Sequence, residues 1–487
     1  MLLRFARFVV PAMGLVLYAQ DASLVLRTSV GYRTQRNSMQ LSDEQKKMAD
    51  QLNAEANQAN AAGKYGDAMR ALYHGMAVMR GVPWTPAYEC AAGLQARVDH
   101  AVPEPGAQIT VTLTPLYPCQ ESAKLTGTGV LKQGTNETAL GSRPLDVSKP
   151  ISARLPVPAS VTGNFVIEIR LTADGEEAPA AARAAMVKPL SMHAEALSES
   201  AQKLRDRIAK SAKKSPALAT AAYGLELYER ADRGEVNPAA VHFTEEFAKA
   251  NEILDAIDAG RDPFAGKKGD FHKAYRSAVD NTLQPYRVFV PAAYDAAKPS
   301  GLVIALHGMG GDENSMFDSY AGAMKREAER TGLVVACPKG RDTASMYRGS
   351  AEQDVLDVLT EVRRDYNIDA NRIYMMGHSM GGYGTWSTAM DHPDLFAALG
   401  PISGGGNTAG MAKIAHIPEY VVHGDNDATV PVTQSRTMVE AGKKAGASIT
   451  YVEIPGGSHV SVAAPQFGPM LDFFVKQRKG AAEATRQ

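Results

Sequence analysis

The spacing of apolar positions changes character along this chain. Between residues 41 and 80, Ala, Met and Leu recur every three or four positions in LSDEQKKMADQLNAEANQANAAG and KYGDAMRALYHGMAVMR. That is the period of an amphipathic helix, and the break at Gly63 predicts two helices joined by a turn. A single helix pair is not a solenoid, so it reads as packing structure. From about 97 to 173 the period falls to two. AQITVTLTPL and GNFVIEIRLTA are rich in Val, Ile and Thr between Gly and Pro punctuation, which predicts a small β domain built as a sandwich. Helical spacing returns near 191–212, 217–232 and 242–258, after the linker EEAPAAARAA. From about 272 short β-rich runs alternate with helical patterns: PYRVFVP, GLVIALHG, GLVVACPKG, RIYMMGHS, FAALGPIS, EYVVHGD and ITYVEIPG. Apolar strands with crossover helices predict a mostly parallel sheet covered on both faces. YRSAV and PYRVFVP, close together, predict an antiparallel hairpin at its start. The expected division is a helical segment over 36–95, a small β domain over 96–175, a helical linker or cap region over 176–268 and an α/β domain over 269–480.

Composition narrows the partners. A chain of 487 residues is too long for one hydrophobic core. Hydrophobic residues make up 45% and charged residues 22%, and the formal net charge of −1 argues against a nucleic-acid partner. No internal run of 18 apolar residues exists, so stable membrane insertion of the mature chain is not expected. The first 22 residues differ: Arg4 and Arg7 precede the apolar stretch Phe8 to Tyr18, with Ala19 as a cleavage position. This reads as a secretory signal peptide and predicts a secreted or periplasmic protein. Cys90 and Cys119 could pair in an oxidising compartment, whereas Cys337 ends the apolar run LVVAC and reads as a buried thiol.

The chemistry centres on MGHSMGGYGTW, Met376 to Trp386. Ser379 stands between glycines at −2 and +2, after an apolar strand pattern and before a helical one. This is the context of a nucleophile elbow. A serine hydroxyl needs a general base, and the base needs an orienting acid. Downstream histidines are His392, His416, His423 and His459. His459 follows the last strand at the sheet's C-terminal edge, where such folds bind ligands, and is the expected base. His423 reads as turn structure. Asp427 in DNDATVP is the expected acid, with Asp425 as the fallback. DND lacks the later ligands of a calcium loop, so no metal is expected. Two oxyanion donors are needed: the backbone N–H of Met380, and that of Met309 in LHGMGGDENS. His307 either supports that loop or touches substrate, with support favoured. The loop KGRDTASMYRGSAEQD either lines the substrate pocket through Tyr347 and Arg348 or is a solvent loop. Trp386 reads as core under the elbow helix.

LHGMGG, GHSMGGYGTW, HGDNDATVP and GGSH, in that order, resemble the α/β-hydrolase superfamily. The closest resemblance is to secreted bacterial esterases grouped with the prolyl-oligopeptidase-like and dienelactone-hydrolase-like hydrolases, among them feruloyl and acetylxylan esterases and polyhydroxybutyrate depolymerases. It covers about 272–478 and does not extend over 36–260. The resemblance implies an α/β-hydrolase fold with a mostly parallel eight-stranded sheet and helices on both faces. It implies a Ser379–Asp427–His459 triad acting through an acyl-enzyme, without metal or organic cofactor. The substrate implied is a small-molecule or polysaccharide-linked ester. A prolyl oligopeptidase carries a propeller of repeated blades, for which 97–173 is too short. A peptidase acting on short peptides is therefore the alternative, and an inert binding protein the second alternative.

Overall fold

A computed structural model describes residues 13–480 apart from 121, 148–150, 174–179 and 212–214. The described residues open with four helices: α1 (Met13–Ser38), α2 (Asp43–Ala61), α3 (Tyr65–Arg80) and α4 (Pro86–Gly93). Ser42 and Gln45 close a capping box on α2, so the first helical pair begins where orphan amides are satisfied. Gly81 ends α3 in the left-handed conformation that glycine adopts without penalty. Residues 1–12 of the expected leader lie outside the described residues, and α1 runs unbroken past the expected cleavage region.

Seven strands follow: β1 (Leu94–Val98), β2 (Gln108–Pro115), β3 (Leu125–Gln133), β4 (Asn136–Leu145), β5 (Ile151–Pro156), β6 (Gly163–Ala173) and β7 (Val187–Ala194). The one-turn helix α5 (Arg183–Met186) precedes β7. They form a three-stranded sheet, β1-β2-β5, and a four-stranded sheet, β4-β3-β6-β7. Ile109, Val111 and Leu113 of β2 meet Phe165, Ile167 and Ile169 of β6 in one core, as period-two alternation requires. Strand β7 corrects the sequence reading, which placed a helix from 191. The segment pairs antiparallel with β6 and buries Met192 and Ala194, and the helix begins only at Ser198. Pro189 is tolerated there because β7 is an edge strand.

Cys90 of α4 is disulfide-bonded to Cys119, which fastens the helical segment to the sandwich across a sequence separation of 29. Loop-closure entropy for a ring of that size is worth about 3–4 kcal/mol. The Cys90→Ser/Cys119→Ser variant is expected to lose about that much in a urea unfolding experiment on the N-terminal transition.

Helices α6 (Ser198–Lys210), α7 (Ala217–Asp232) and α8 (Phe243–Asp258) share a core of Leu204, Ala221, Leu225, Phe247 and Leu254. The last part of the chain contains β8 (Gly269–Arg276), β9 (Leu283–Val290), β10 (Ser300–Leu306), α9 (Ser315–Asp318), α10 (Ala323–Thr331), β11 (Val334–Pro338), α11 (Ser350–Asp365) and β12 (Ile368–His378). After these come α12 (Met380–Asp391), β13 (Ala398–Ile402), β14 (Glu419–Gly424), α13 (Thr433–Lys444), β15 (Ile449–Ile454) and α14 (Ala463–Phe474). Eight strands make one sheet in the order β15-β14-β13-β12-β10-β11-β9-β8. The pairings from β15 to β11 are parallel, and β9 and β8 close the edge as the expected antiparallel hairpin.

The unbroken apolar runs now have a reason. Leu302, Ile304 and Leu306 of β10 enter the core on one face of the sheet, while Val303 and Ala305 enter the core on the other. β12 divides in the same way, with Ile373 and Met375 on one side and Tyr374 and Met376 on the other. Parallel register aligns Leu306 with Gly377 and Gly424 with Ile454, so the loops after β10, β12, β14 and β15 emerge along one edge.

Beneath α12, Trp386 is fully buried and its Nε1–H donates to Glu419 Oε2 at 2.8 Å. Glu419 Oε1 is buried without a partner among the described residues. Burial pushes this carboxyl up to about 7, against the Trp386 hydrogen bond. The unfolded carboxyl titrates near 4.3. The native state therefore holds the extra proton between these values, and stability falls as pH rises through that window, by roughly 3 kcal/mol in total. Glu419→Gln removes the titration. In denaturant melts at pH 5 and pH 8, the variant is expected to lose about 3 kcal/mol less than the unaltered protein between the two. An equal loss in both proteins would refute this account.

Candidate active site

Ser379 lies between β12 and α12 with φ 59° and ψ −118°, a conformation L-residues rarely adopt. The surroundings over-determine it. A Cβ on Gly377 would lie 2.3 Å from the Gly381 carbonyl oxygen, and one on Gly381 would lie 2.2 Å from that of Leu306. Only glycine lets the turn approach its neighbours so closely. The Ser379 N–H donates to Ile402 O at 2.9 Å, and the Ser379 carbonyl accepts from Gly382 N at 2.8 Å. The serine is thereby fixed between a neighbouring strand and the first turn of α12.

The structure brings Ser379, His459 and Asp427 into one hydrogen-bonded line. Ser379 Oγ is 2.8 Å from His459 Nε2, and His459 Nδ1 is 2.7 Å from Asp427 Oδ2. The Asp427 side chain is buried, whereas Ser379 and His459 keep partial exposure. Asp427 Oδ1 accepts from Thr429 N and Val430 N, each at 2.8 Å. Burial alone would raise this carboxyl. Hydrogen bonds from His423 and His459 outweigh it and hold the group well below the usual carboxylate range. The fallback acid, Asp425, is exposed and its Oδ1 accepts from Gly456 N at 2.6 Å, so it pins the turn before His459 instead.

The other histidines separate. His392 pairs with Glu352, and His416 meets the Pro393 carbonyl. His423 is not simple turn structure. It is fully buried, with Nε2 3.0 Å from Val430 O and 3.2 Å from Asp427 Oδ2, and Nδ1 2.7 Å from Ser435 Oγ. A second histidine thus braces the acid. Its signal in the sequence was four-residue spacing to Asp427 across a strand end, which reads equally well as a turn.

His378, next to the serine, carries no signal in the sequence that marks it as a site residue. Its Nε2 donates to His459 O at 2.8 Å, and its Nδ1 accepts from Tyr320 Oη at 2.8 Å. Burial pushes this imidazole down to about 4, with the neighbouring His459 acting in the same direction. The neutral ring therefore holds the loop that carries His459.

Gly308 comes close enough that an added Cβ would lie 3.3 Å from Ser379 Cβ. The next N–H, of Met309, and the N–H of Met380 have no acceptor among the described residues. They are the two donors expected for an oxyanion. His307 is buried, its ring nitrogens Nδ1 and Nε2 lie 2.8 Å from Gly308 O and 2.7 Å from Lys339 O, and its own N–H donates to Tyr347 Oη at 2.9 Å. It supports the loop. Tyr347 requires a correction: it has no exposed surface, so it is not a substrate contact. Left-handed backbone at Met346 and Tyr347, φ 54° and 51°, turns the ring inward over Gly340 and Gly384. Arg348 stays exposed on that loop. Among the described residues no group of three or more His, Cys, Asp or Glu side chains is arranged to hold a metal ion.

A family described as PETase, PET hydrolase-like, matches residues 342–475. A bifunctional acetylxylan esterase/xylanase of Neocallimastix patriciarum is 32% identical over 144 residues, which are 29% of this chain and 21% of that protein. A probable feruloyl esterase C of Aspergillus oryzae is 29% identical over 187 residues, 36% of this chain and 68% of that protein. Among solved structures, a thermostable esterase aligns with 79% of this chain and all of its own, at 17% identity and a TM-score of 0.40.

Proposed function

We propose that this chain, whose C-terminal part belongs to the α/β-hydrolase superfamily, is a serine carboxylic-ester hydrolase acting on acyl or feruloyl esters of carbohydrates or related small esters. The observation that carries the reading is the continuous line from Ser379 Oγ through His459 to Asp427, at 2.8 and 2.7 Å. His459 Nε2 takes the Ser379 proton as Oγ attacks the ester carbonyl. Asp427 keeps the proton of Nδ1 in place and stabilises the imidazolium. The Met309 and Met380 N–H groups receive the developing oxyanion. His459 then protonates the departing alcohol. Water, deprotonated by the same ring, releases the acid from Ser379. The relatives named as acetylxylan and feruloyl esterases support the substrate class. The leader pattern over 1–22 and the Cys90–Cys119 disulfide support an exported protein.

A burst experiment tests the reading. Purified protein is mixed with p-nitrophenyl acetate, p-nitrophenyl butyrate and a peptide p-nitroanilide. A stoichiometric burst of p-nitrophenol, absent with the anilide, is the expected result. Faster anilide cleavage would make the chain a peptidase. Folded protein with no turnover of any of the three would leave a binding protein.

A further inference from the structure

Helix α1 has two unlike faces. One is built into the N-terminal helices. Val25 and Tyr32 are buried in a core shared with Ala49, Met69 and Leu72. Tyr32 Oη donates to Ala49 O at 2.6 Å, and Arg36 makes a paired ion bridge to Asp50. A Cβ on Gly75 would meet the Tyr32 hydroxyl at 2.1 Å, so α1 and α3 are closely fitted.

The other face reaches the candidate active site, more than 300 residues away in sequence, through a set of polar contacts. Arg27 donates to Thr343 Oγ1 at 2.8 Å and stands 3.8 Å from Asp342. Two to three turns on, Thr34 Oγ1 is 3.4 Å from Thr429 Oγ1 and Asn37 Nδ2 donates to Ala428 O at 2.9 Å. These anchor points flank the site. The Thr343 carbonyl accepts from Gly310 N at 2.7 Å, which ties it to the loop carrying Met309. Ala428 and Thr429 directly follow the acid Asp427. Ten residues of helix span about 15 Å, enough to cross the mouth from the oxyanion side to the acid side. Among the described residues, no catalytic-domain side chain joins the apolar core that holds α1.

We infer that α1, carried by α2 and α3, is a strap across the mouth of the Ser379 site that admits small esters and must swing aside for polymer-linked ones. The inference rests on the esterase reading above. The strap leaves Ser379 and His459 partly exposed, so a small ester has a path with α1 docked. A long or branched alcohol has to occupy the space α1 crosses. The docking contacts are three partly buried or exposed hydrogen bonds and one loose ion pair, which are weak individually, whereas the apolar face holds α1 to its own helices.

The test compares the full-length unaltered protein with Arg27→Ala/Asn37→Ala, both outside the catalytic machinery. On acetylated or feruloylated xylan, kcat/KM is expected to rise about three- to tenfold in the variant, while that for p-nitrophenyl acetate stays within about twofold. Spin labels on Lys47→Cys and Glu440→Cys, both at exposed positions on α2 and α13, report the swing directly. The variant is expected to show a larger long-distance population by double electron–electron resonance. Turnover of p-nitrophenyl acetate with unshifted label distances, or equal changes for both esters, would overturn the strap alone. No turnover of p-nitrophenyl acetate by the unaltered protein would defeat the esterase reading, and the size filter with it.

Discussion

Ser379→Ala is expected to lower kcat for p-nitrophenyl acetate about 10^5- to 10^6-fold and to abolish the burst, with the far-ultraviolet spectrum and unfolding midpoint unchanged. The magnitude follows from the role assigned to the side chain. Without Oγ no acyl-enzyme forms, and only the donors at Met309 and Met380 and substrate binding remain to assist direct attack by water. The fold should survive, because Oγ makes the 2.8 Å bond to His459 Nε2, while the backbone of the turn is held by Ile402 O and Gly382 N. His459→Ala should cost a similar factor, and the double variant should be scarcely worse than either single one, since the groups act as a unit. Titration of active sites in each preparation makes the comparison quantitative. A folded Ser379→Ala protein retaining more than about 1% of the activity would place the nucleophile elsewhere.

Much of this site was legible because its parts are local. An apolar strand, G-H-S-M-G and a helical pattern occupy consecutive residues from 373 to 390, and each piece of physics acts between neighbours. The alternating burial of β10 and β12 likewise appears as unbroken apolar runs, which predict a sheet covered on both faces. What stayed hidden depends on partners remote in sequence. Tyr347 looked like a loop residue, and only the packing of Gly340 and Gly384 around it shows a core ring. Strand β7, interrupted by Pro189, acquires its identity by pairing with β6. His378 and His423 carry ordinary signals, and their roles arise from a carbonyl 81 residues away and a carboxylate set by a loop. The docking of α1 on residues 342–343 and 428–429 has no sequence pattern, because single polar contacts impose no periodicity.

Asp427→Asn separates the two carboxylates of DNDATVP. A reduction of kcat by about 10^3- to 10^4-fold at neutral pH is expected, against less than about threefold for Asp425→Asn. The direction follows from the four donors around Asp427. Thr429 N and Val430 N are backbone donors at 2.8 Å on Oδ1, and they must keep an acceptor. In the variant the amide oxygen therefore turns to them, and the amide NH2 faces His459 Nδ1. Two donors cannot meet, so His459 surrenders its Nδ1 proton and carries one on Nε2 instead. That tautomer points a hydrogen at Ser379 Oγ and cannot accept the serine proton. The loss falls on kcat, while KM should move little, because Asp427 is buried behind the histidine and out of reach of substrate. Asp425 has no such leverage: its single structural bond is to Gly456 N, on the turn before His459, and an amide oxygen can accept it as well. Asn at 427 preserves volume, so the folded state should persist and the comparison stay one of chemistry. If Asp425→Asn proved the more damaging change, the acid would be misassigned and His459 would have to take its orientation from the other side of the turn.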